Sequence, residues 1–253
     1  MIKKTNRINE ITSFLRLRGN ATLQELADSF EVSTATIRRD IKNLELSGQV
    51  VQTLGGGVIL REDFTTPLSS CGFYPAIDEV IRIAEHCTTM IADKDTILLG
   101  PGLTPFMAGK IIGGLDINIR VMTNSLSLAQ ELSRVKNIHT FILGGEIQND
   151  YTLSEDSYSF NKIQFANKLF FTVDGIDLDY GLSLFSNVMV PMIKKMMSIS
   201  REIVLIADSS KFGKVCFNVI EGFERLSRII TDKKISPALV RGIEDRGIPV
   251  TLV

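Results

Sequence analysis

Residues 33 to 40 read STATIRRD. Hydroxyl side chains lead and two adjacent arginines follow, a set suited to gripping a polyanion. A guanidinium can bond guanine O6 and N7 in bidentate fashion, and Ser or Thr hydroxyls can reach phosphates or base edges. If Ser33 caps a helix, the helix N-terminus adds its own attraction for an anion. On a wheel of about 100° per residue centred on Ile37, Ala35, Arg38, Arg39 and Lys42 fall on the far side and Thr36 and Asn43 at a border, while Ile41 and Leu44 point inward with Ile37. An isolated Arg-Arg pair is ordinarily a solvated helix face, so the surrounding elements decide its meaning.

Those elements are legible. Ile8, Ile11, Phe14, Leu15 and Leu17 recur at helical spacing and Gly19 follows as a stop. TLQE at 22–25 has capping-box spacing, in which Thr22 takes a backbone N–H and Glu25 reaches back to the cap. Leu23, Leu26, Ala27 and Phe30 then form the buried face of a short second helix, and the arginine helix follows, ending at Gly48. VVQTLGGGVIL reads as strands 49–53 and 57–60 around Leu54, Gly55 and Gly56, a hairpin whose glycines allow positive φ. Three helices and a hairpin make a winged helix-turn-helix over residues 1–60. Its partner is expected to be double-stranded operator DNA, contacted by Thr22, Ser33, Thr34, Thr36, Arg38, Arg39, Lys42, Gly55 and Gly56. Charge agrees in sign: residues 1–57 hold eight Lys or Arg against six Asp or Glu, a balance of +2 in a chain of net charge −1.

The remaining chain has ordinary globular composition, with 44 % hydrophobic and 23 % charged residues. Its longest apolar runs, such as IVLIA at 203–207, fall far short of the roughly 18 residues needed to span a bilayer. The polar start MIKKTNRINE has no signal-peptide apolar region, and a cytoplasmic location without membrane contact is expected. Cys71, Cys87 and Cys216 are odd in number and widely spaced, and His86 and His139 lack spaced partners, so neither a disulfide framework nor a metal site is expected.

Residues 61–75, REDFTTPLSSCGFYP, have no apolar period and suit a linker. Beyond it, Ile77, Val80, Ile81, Ala84 and Cys87 repeat as an amphipathic helix. Short apolar strands TILL, RVMT, HTFILG, KLFFTV, EIVLIA, RLSRIIT and PVTLV then alternate with helical stretches over residues 76–253. This alternation predicts an α/β domain with a mostly parallel sheet covered on both faces. Ligands of such sheets bind at the carboxyl ends of the strands. The strand ends here are GPGLT at 100–104, TNS at 123–125, GG at 144–145, DGID at 174–177 and DSSKFG at 208–213. Any one of them is ordinarily a turn. Together they assemble small residues, hydroxyls and one cation, which suits a small phosphorylated sugar or polyol held by Gly102, Thr104, Thr123, Asn124, Ser125, Gly144, Gly145, Asp174 and Lys211. Met189, Met192, Met196 and Met197 read as core before they read as a pocket wall. LLGPG lacks the GxGxxG spacing, so no dinucleotide, and no other cofactor, is expected.

From RINEITSFLRLRG through TIRRD to the glycines of the wing, the chain resembles the DeoR family of bacterial sugar-metabolism regulators, and TNS, GG, DGID and DSSKFG extend the resemblance through the second domain. The resemblance implies a DNA-binding repressor of a carbohydrate operon, released by a phosphorylated sugar bound in a sensor domain that resembles sugar-phosphate isomerases. Two departures stand out. The family's Asp-x-Gly-Thr-Thr loop is here Gly100, Pro101, Gly102, Leu103, Thr104, and no acid lies between Gly181 and Lys195, where a Glu is usual. These losses point to an effector that is unusual, weakly bound or absent. A homo-oligomer, dimer or tetramer, is expected because symmetric half-sites multiply DNA specificity. Two other functions remain open: a sugar-phosphate isomerase with Asp174 and Lys211 as acid–base pair and an appended DNA-binding module, and an N-terminal domain that docks only a protein. The leading expectation is a regulator and not an enzyme.

Overall fold

A computed structural model describes residues 4–18, 20–46, 50–52, 57–60, 76–148, 151–153 and 165–253. Contacts divide the chain into Met1–Ile77 and Asp78–Val253.

The first unit contains α1 (Lys4–Arg18), β1 (Asn20–Thr22), α2 (Leu23–Ser29), α3 (Thr34–Leu46), β2 (Val50–Gln52) and β3 (Gly57–Leu60). Ile11, Leu15, Leu26, Ile37, Ile41 and Leu44 bury one stripe of each helix in a common core with Val50, Val58 and Leu60. Phe14 and Phe30 close its rim edge to face, with ring centroids 5.8 Å apart. The wing strands pair antiparallel, Val50 with Leu60 and Gln52 with Val58. The residues of their turn, including Gly55 and Gly56, lie outside the described residues, as does the linker at 61–75. The sequence reading missed β1, which pairs along β3 from Asn20–Ile59 to Thr22–Gly57 and makes the wing three-stranded. Three residues carry too little periodicity to register as a strand. Glu31, in the turn between α2 and α3, has φ 51°, a conformation that favours glycine.

The wheel is correct for the arginines but says nothing of the third residue in RRD. Asp40 is 1 % exposed and accepts a bond from Arg7 Nε of α1 at 2.7 Å. This buried ion pair ties α3 to α1 and turns the only acid of that run away from the outer face.

The second unit opens with α4 (Ile77–Thr88), whose buried face uses Ile83 with Val80, Ala84 and Cys87, while Ile81 is only half-buried. Seven strands follow in one sheet: β4 (Thr96–Leu99), β5 (Ile119–Thr123), β6 (Ile138–Ile142), β9 (Ala166–Phe171), β12 (Ser200–Ile206), β14 (Arg228–Thr231) and β15 (Val250–Leu252). Their spatial order is β15-β14-β12-β9-β4-β5-β6 and every pairing is parallel. Each overlaps one of the seven apolar runs read from the sequence. Helices α5 (Leu103–Ile112), α6 (Leu126–Leu132), α7 (Met189–Ser198) and α8 (Pro237–Glu244) pack on the sheet, so central strands such as β4 and β12 are apolar on both faces. Two smaller sheets have no parallel-run signature: the hairpin β7 (Glu146–Gln148) with β8 (Tyr151–Leu153), and β10 (Gly175–Asp177), β11 (Gly181–Leu184) and β13 (Asn218–Glu221).

Winding reverses between β4 and β9. From β4 the chain adds β5 and β6 on one side, then returns to β9 and builds β12, β14 and β15 on the other. The ends of β4 and β9 run together, joined by Gly100 N–H donating to Phe170 O at 2.9 Å. A Cβ on Gly100 would lie 2.9 Å from Phe171 Cβ, and one on Gly102, where φ is +109°, would lie 2.4 Å from Thr172 Cγ2. As the backbone stands, neither position has room for a Cβ beside the end of β9.

Two stability outcomes follow from these contacts. Asp40→Ala strands the half-enclosed Arg7 charge and should cost about 3 kcal/mol, read as a lower midpoint in denaturant melting. Gly102→Ala should cost about 1 to 3 kcal/mol for the backbone conformation alone, and adding Thr172→Ser should recover only the steric part, so the double variant melts between Gly102→Ala and the parent.

Candidate nucleic-acid interface and effector cleft

Ser33 performs the cap expected of it. Its hydroxyl accepts from Thr36 N–H at 3.2 Å and lies 2.9 Å from Thr36 Oγ1, which fixes the first turn of α3. Thr22 and Glu25 form the capping box of α2: Thr22 N–H and hydroxyl reach Glu25 Oε2 at 2.7 and 2.9 Å, and Glu25 N–H returns to Thr22 Oγ1 at 3.1 Å. Both hydroxyls thus have structural work before any contact with DNA. Thr34 and Thr36 are half-buried at the start of α3. Ala35, Arg38, Arg39 and Lys42 are exposed, and among the described residues none of the three cations has an ion-pair partner. Gln52 of the wing donates through N–H and Nε2 to Glu45 of α3, at 3.3 and 3.1 Å, which sets the wing beside the helix. Arg7, Asp40, Glu45 and Gln52 were not singled out from the sequence, because their roles come from partners seven and 33 residues away. The first unit thus presents two guanidinium groups, an ammonium and a helix N-terminus together, a surface fit for a phosphate backbone and a groove.

In the second unit, a cleft of about 280 Å³ opens where the winding reverses, the position at which open α/β sheets take ligands. Gly102 after β4, Thr172 and Asp174 after β9, Tyr151 of β8 and Ser186 supply its polar lining, and Pro101, Val173, Leu184 and Met189 its apolar walls. Asp174 accepts from Phe185 N–H through Oδ2 at 2.9 Å. Gly102 donates its N–H to the Tyr151 phenol oxygen at 3.0 Å.

Of the expected effector residues, Gly102 and Asp174 line this cleft. Thr104 is 3 % exposed within α5. Thr123, Asn124 and Ser125 are buried and build local structure: Thr123 Oγ1 accepts from Ser125 N–H, and Ser125 Oγ caps α6 by accepting from Leu128 N–H. Asn124 anchors β8, with Thr152 N–H donating to its carbonyl and its own Nδ2 donating to Thr152 O. Gly144 and Gly145 turn the chain from β6 into β7, Gly145 at φ +145°, and are not among the cleft's lining residues. Lys211 sits half-buried in the 3₁₀ turn Ser209–Lys211 after β12, outside the lining. Its charge and that of Asp174 both act on Cys216, whose thiol is pushed up by burial first and by Asp174 next. The isomerase alternative thus has no acid–base pair facing one substrate. Met192, Met196 and Met197 are core and Met189 is a cleft wall. Tyr151, Thr172 and Ser186 are site residues that no sequence period marks. Among the described residues no group of three or more His, Cys, Asp or Glu could hold a metal ion, and no helix is long and apolar enough to cross a membrane.

Comparison with known proteins agrees with this division. The DeoR-like helix-turn-helix domain matches residues 7–63 and the DeoR C terminal sensor domain matches residues 76–233. The chain is 31 % identical to the uncharacterized HTH-type transcriptional regulator YulB of Bacillus subtilis (strain 168), over 98 % of this chain and 96 % of the relative. It is 28 % identical to the HTH-type transcriptional regulator IolR of the same organism, over 98 % and 99 %. With the lactose phosphotransferase system repressor of Lactococcus lactis subsp. lactis the identity is 30 % over 93 % and 94 %. A winged helix-turn-helix followed by a parallel α/β unit, matched along nearly the whole chain, makes this protein a member of the DeoR family.

Proposed function

We propose that the protein is a transcription regulator, a repressor of a carbohydrate-utilisation operon, that grips operator DNA through the outer face of α3 and answers to a phosphorylated sugar or polyol in the cleft of its second unit. The observation that carries the DNA reading is the division of charge on α3. Asp40 is withdrawn onto Arg7, while Arg38, Arg39 and Lys42 stay exposed. Relatives named as transcriptional regulators, one of them a repressor of a sugar phosphotransferase system, support a regulator over an enzyme. The cleft at the winding reversal supports a small effector. Operator half-sites call for a dimer or tetramer, acting in the cytoplasm.

Gel-shift titration against the protein's own upstream region tests the DNA face. Arg38→Ala or Arg39→Ala should cost about 1 to 3 kcal/mol for a side chain that reads a base edge, whereas Lys42→Ala should weaken all sequences alike. The slope of log K against log[salt] should be about −0.9 per neutralised phosphate; a flat dependence would mean that this face docks a protein. For the sensor, Asp174→Asn removes the one negative charge of the lining and should lower the sugar-phosphate concentration needed for release while leaving the affinity of the free protein for DNA unchanged; an unaltered dose response excludes this cleft as the effector site.

A further inference from the structure

We infer that Tyr151 decides what the cleft accepts, because its phenol oxygen holds the seat that an anionic group of a ligand would take at the N-terminus of α5. The inference rests on reading the cleft as the effector site.

Helix α5 runs for ten residues from Leu103, and its N-cap, Gly102, has no side chain to offer as a cap. The leading amides of such a helix lack helical acceptors and favour negative charge, and Pro105 has no N–H to contribute. Gly102 N–H, at the mouth of the cleft, already has an acceptor in Tyr151 Oη. Local backbone holds the ring there. Thr152 bonds Asn124 in both directions, at 2.9 and 3.2 Å, its hydroxyl donates to Leu143 O, and Tyr151 bridges to Ser125. Tyr151 is therefore delivered to Gly102 by a fixed strand, and its oxygen copies one oxygen of a bound anion.

A second observation lies beside this plug. Asn124 is fully buried, and its Oδ1 has no hydrogen-bond partner among the described residues. Its Nδ2 lies 3.9 Å from Met189 Sδ in the cleft wall. A buried acceptor left unmatched is unfavourable, so an unmet polar group stands next to the cleft wall. Two further features turn the site against phosphate: Asp174 brings a carboxylate into the lining, and Leu103 offers no hydroxyl at the first position of α5. A phosphate ester must displace the phenol before it reaches Gly102 N–H. The plug therefore lowers the affinity for phosphorylated ligands and ties their binding to the position of the β7–β8 hairpin.

The test titrates inorganic phosphate and D-fructose 6-phosphate into ¹⁵N-labelled full-length protein, following the Gly102 amide resonance in the parent, Tyr151→Phe and Tyr180→Phe. Tyr180 is 63 % exposed and serves as control. Removing the competing oxygen should tighten phosphate binding roughly tenfold, the worth of one hydrogen bond, while Tyr180→Phe matches the parent. Equal or weaker binding by Tyr151→Phe, or a Gly102 resonance that stays in place in both proteins, overturns the inference. Operator affinity, measured on the same samples, reports separately: tighter phosphate binding that leaves it unchanged sinks the effector reading and leaves the role of Tyr151 standing.

Discussion

Strands β4 and β9 leave the central sheet so close together that the backbone between them must go bare. The reversal of winding puts their ends side by side, and Phe171 and Thr172 fill the space that a Cβ at Gly100 or Gly102 would need. Glycine at these two places lets the chain turn from β4 into α5 while the helix N-terminus stays at the sheet's edge. The cleft, the position of the Gly102 amide and the approach of Tyr151 all depend on that turn. Among the residues lining the cleft the one acid is Asp174, just beyond the neighbouring strand β9.

In the N-terminal unit, the charge of the outer helix face depends on where one acid points. Desolvating a carboxylate is costly unless a cation meets it, and Arg7 meets Asp40 inside the fold. Had Asp40 faced outward it would neutralise one of its neighbouring arginines. Turned inward, it leaves a basic face on α3 in a chain whose net charge is only −1, an effect of local placement of charge and not of overall charge. One interaction thereby braces the helix and clears its outer face.

The two units differ in how much of them could be read in advance. Seven apolar runs became the seven parallel strands, and the cap residues Ser33 and Thr22 stand where spacing put them. The effector residues were less legible. TNS looked like ligand-binding chemistry, yet Thr123 and Ser125 spend their hydroxyls on the chain itself, and Asn124 spends its amide on β8. Hydroxyl and amide side chains at a strand end serve a turn and a ligand equally well in a one-dimensional reading. Tyr151 is the opposite case. It lies in a three-residue strand with no period, and its importance comes from Gly102, 49 positions earlier.

Hydrophobic period, capping pairs and glycine placement act over a few residues, and they determined from the sequence alone that a winged helix-turn-helix precedes a parallel α/β unit and that Arg38, Arg39 and Lys42 share one helix face. Which acid was withdrawn, which strand ends met and which side chain accepted from the Gly102 amide were decided only by tertiary structure. Arg7 with Asp40 and Gly102 with Tyr151 are 33 and 49 residues apart. Contacts at that range come from chain topology and leave no local trace in the order of residues.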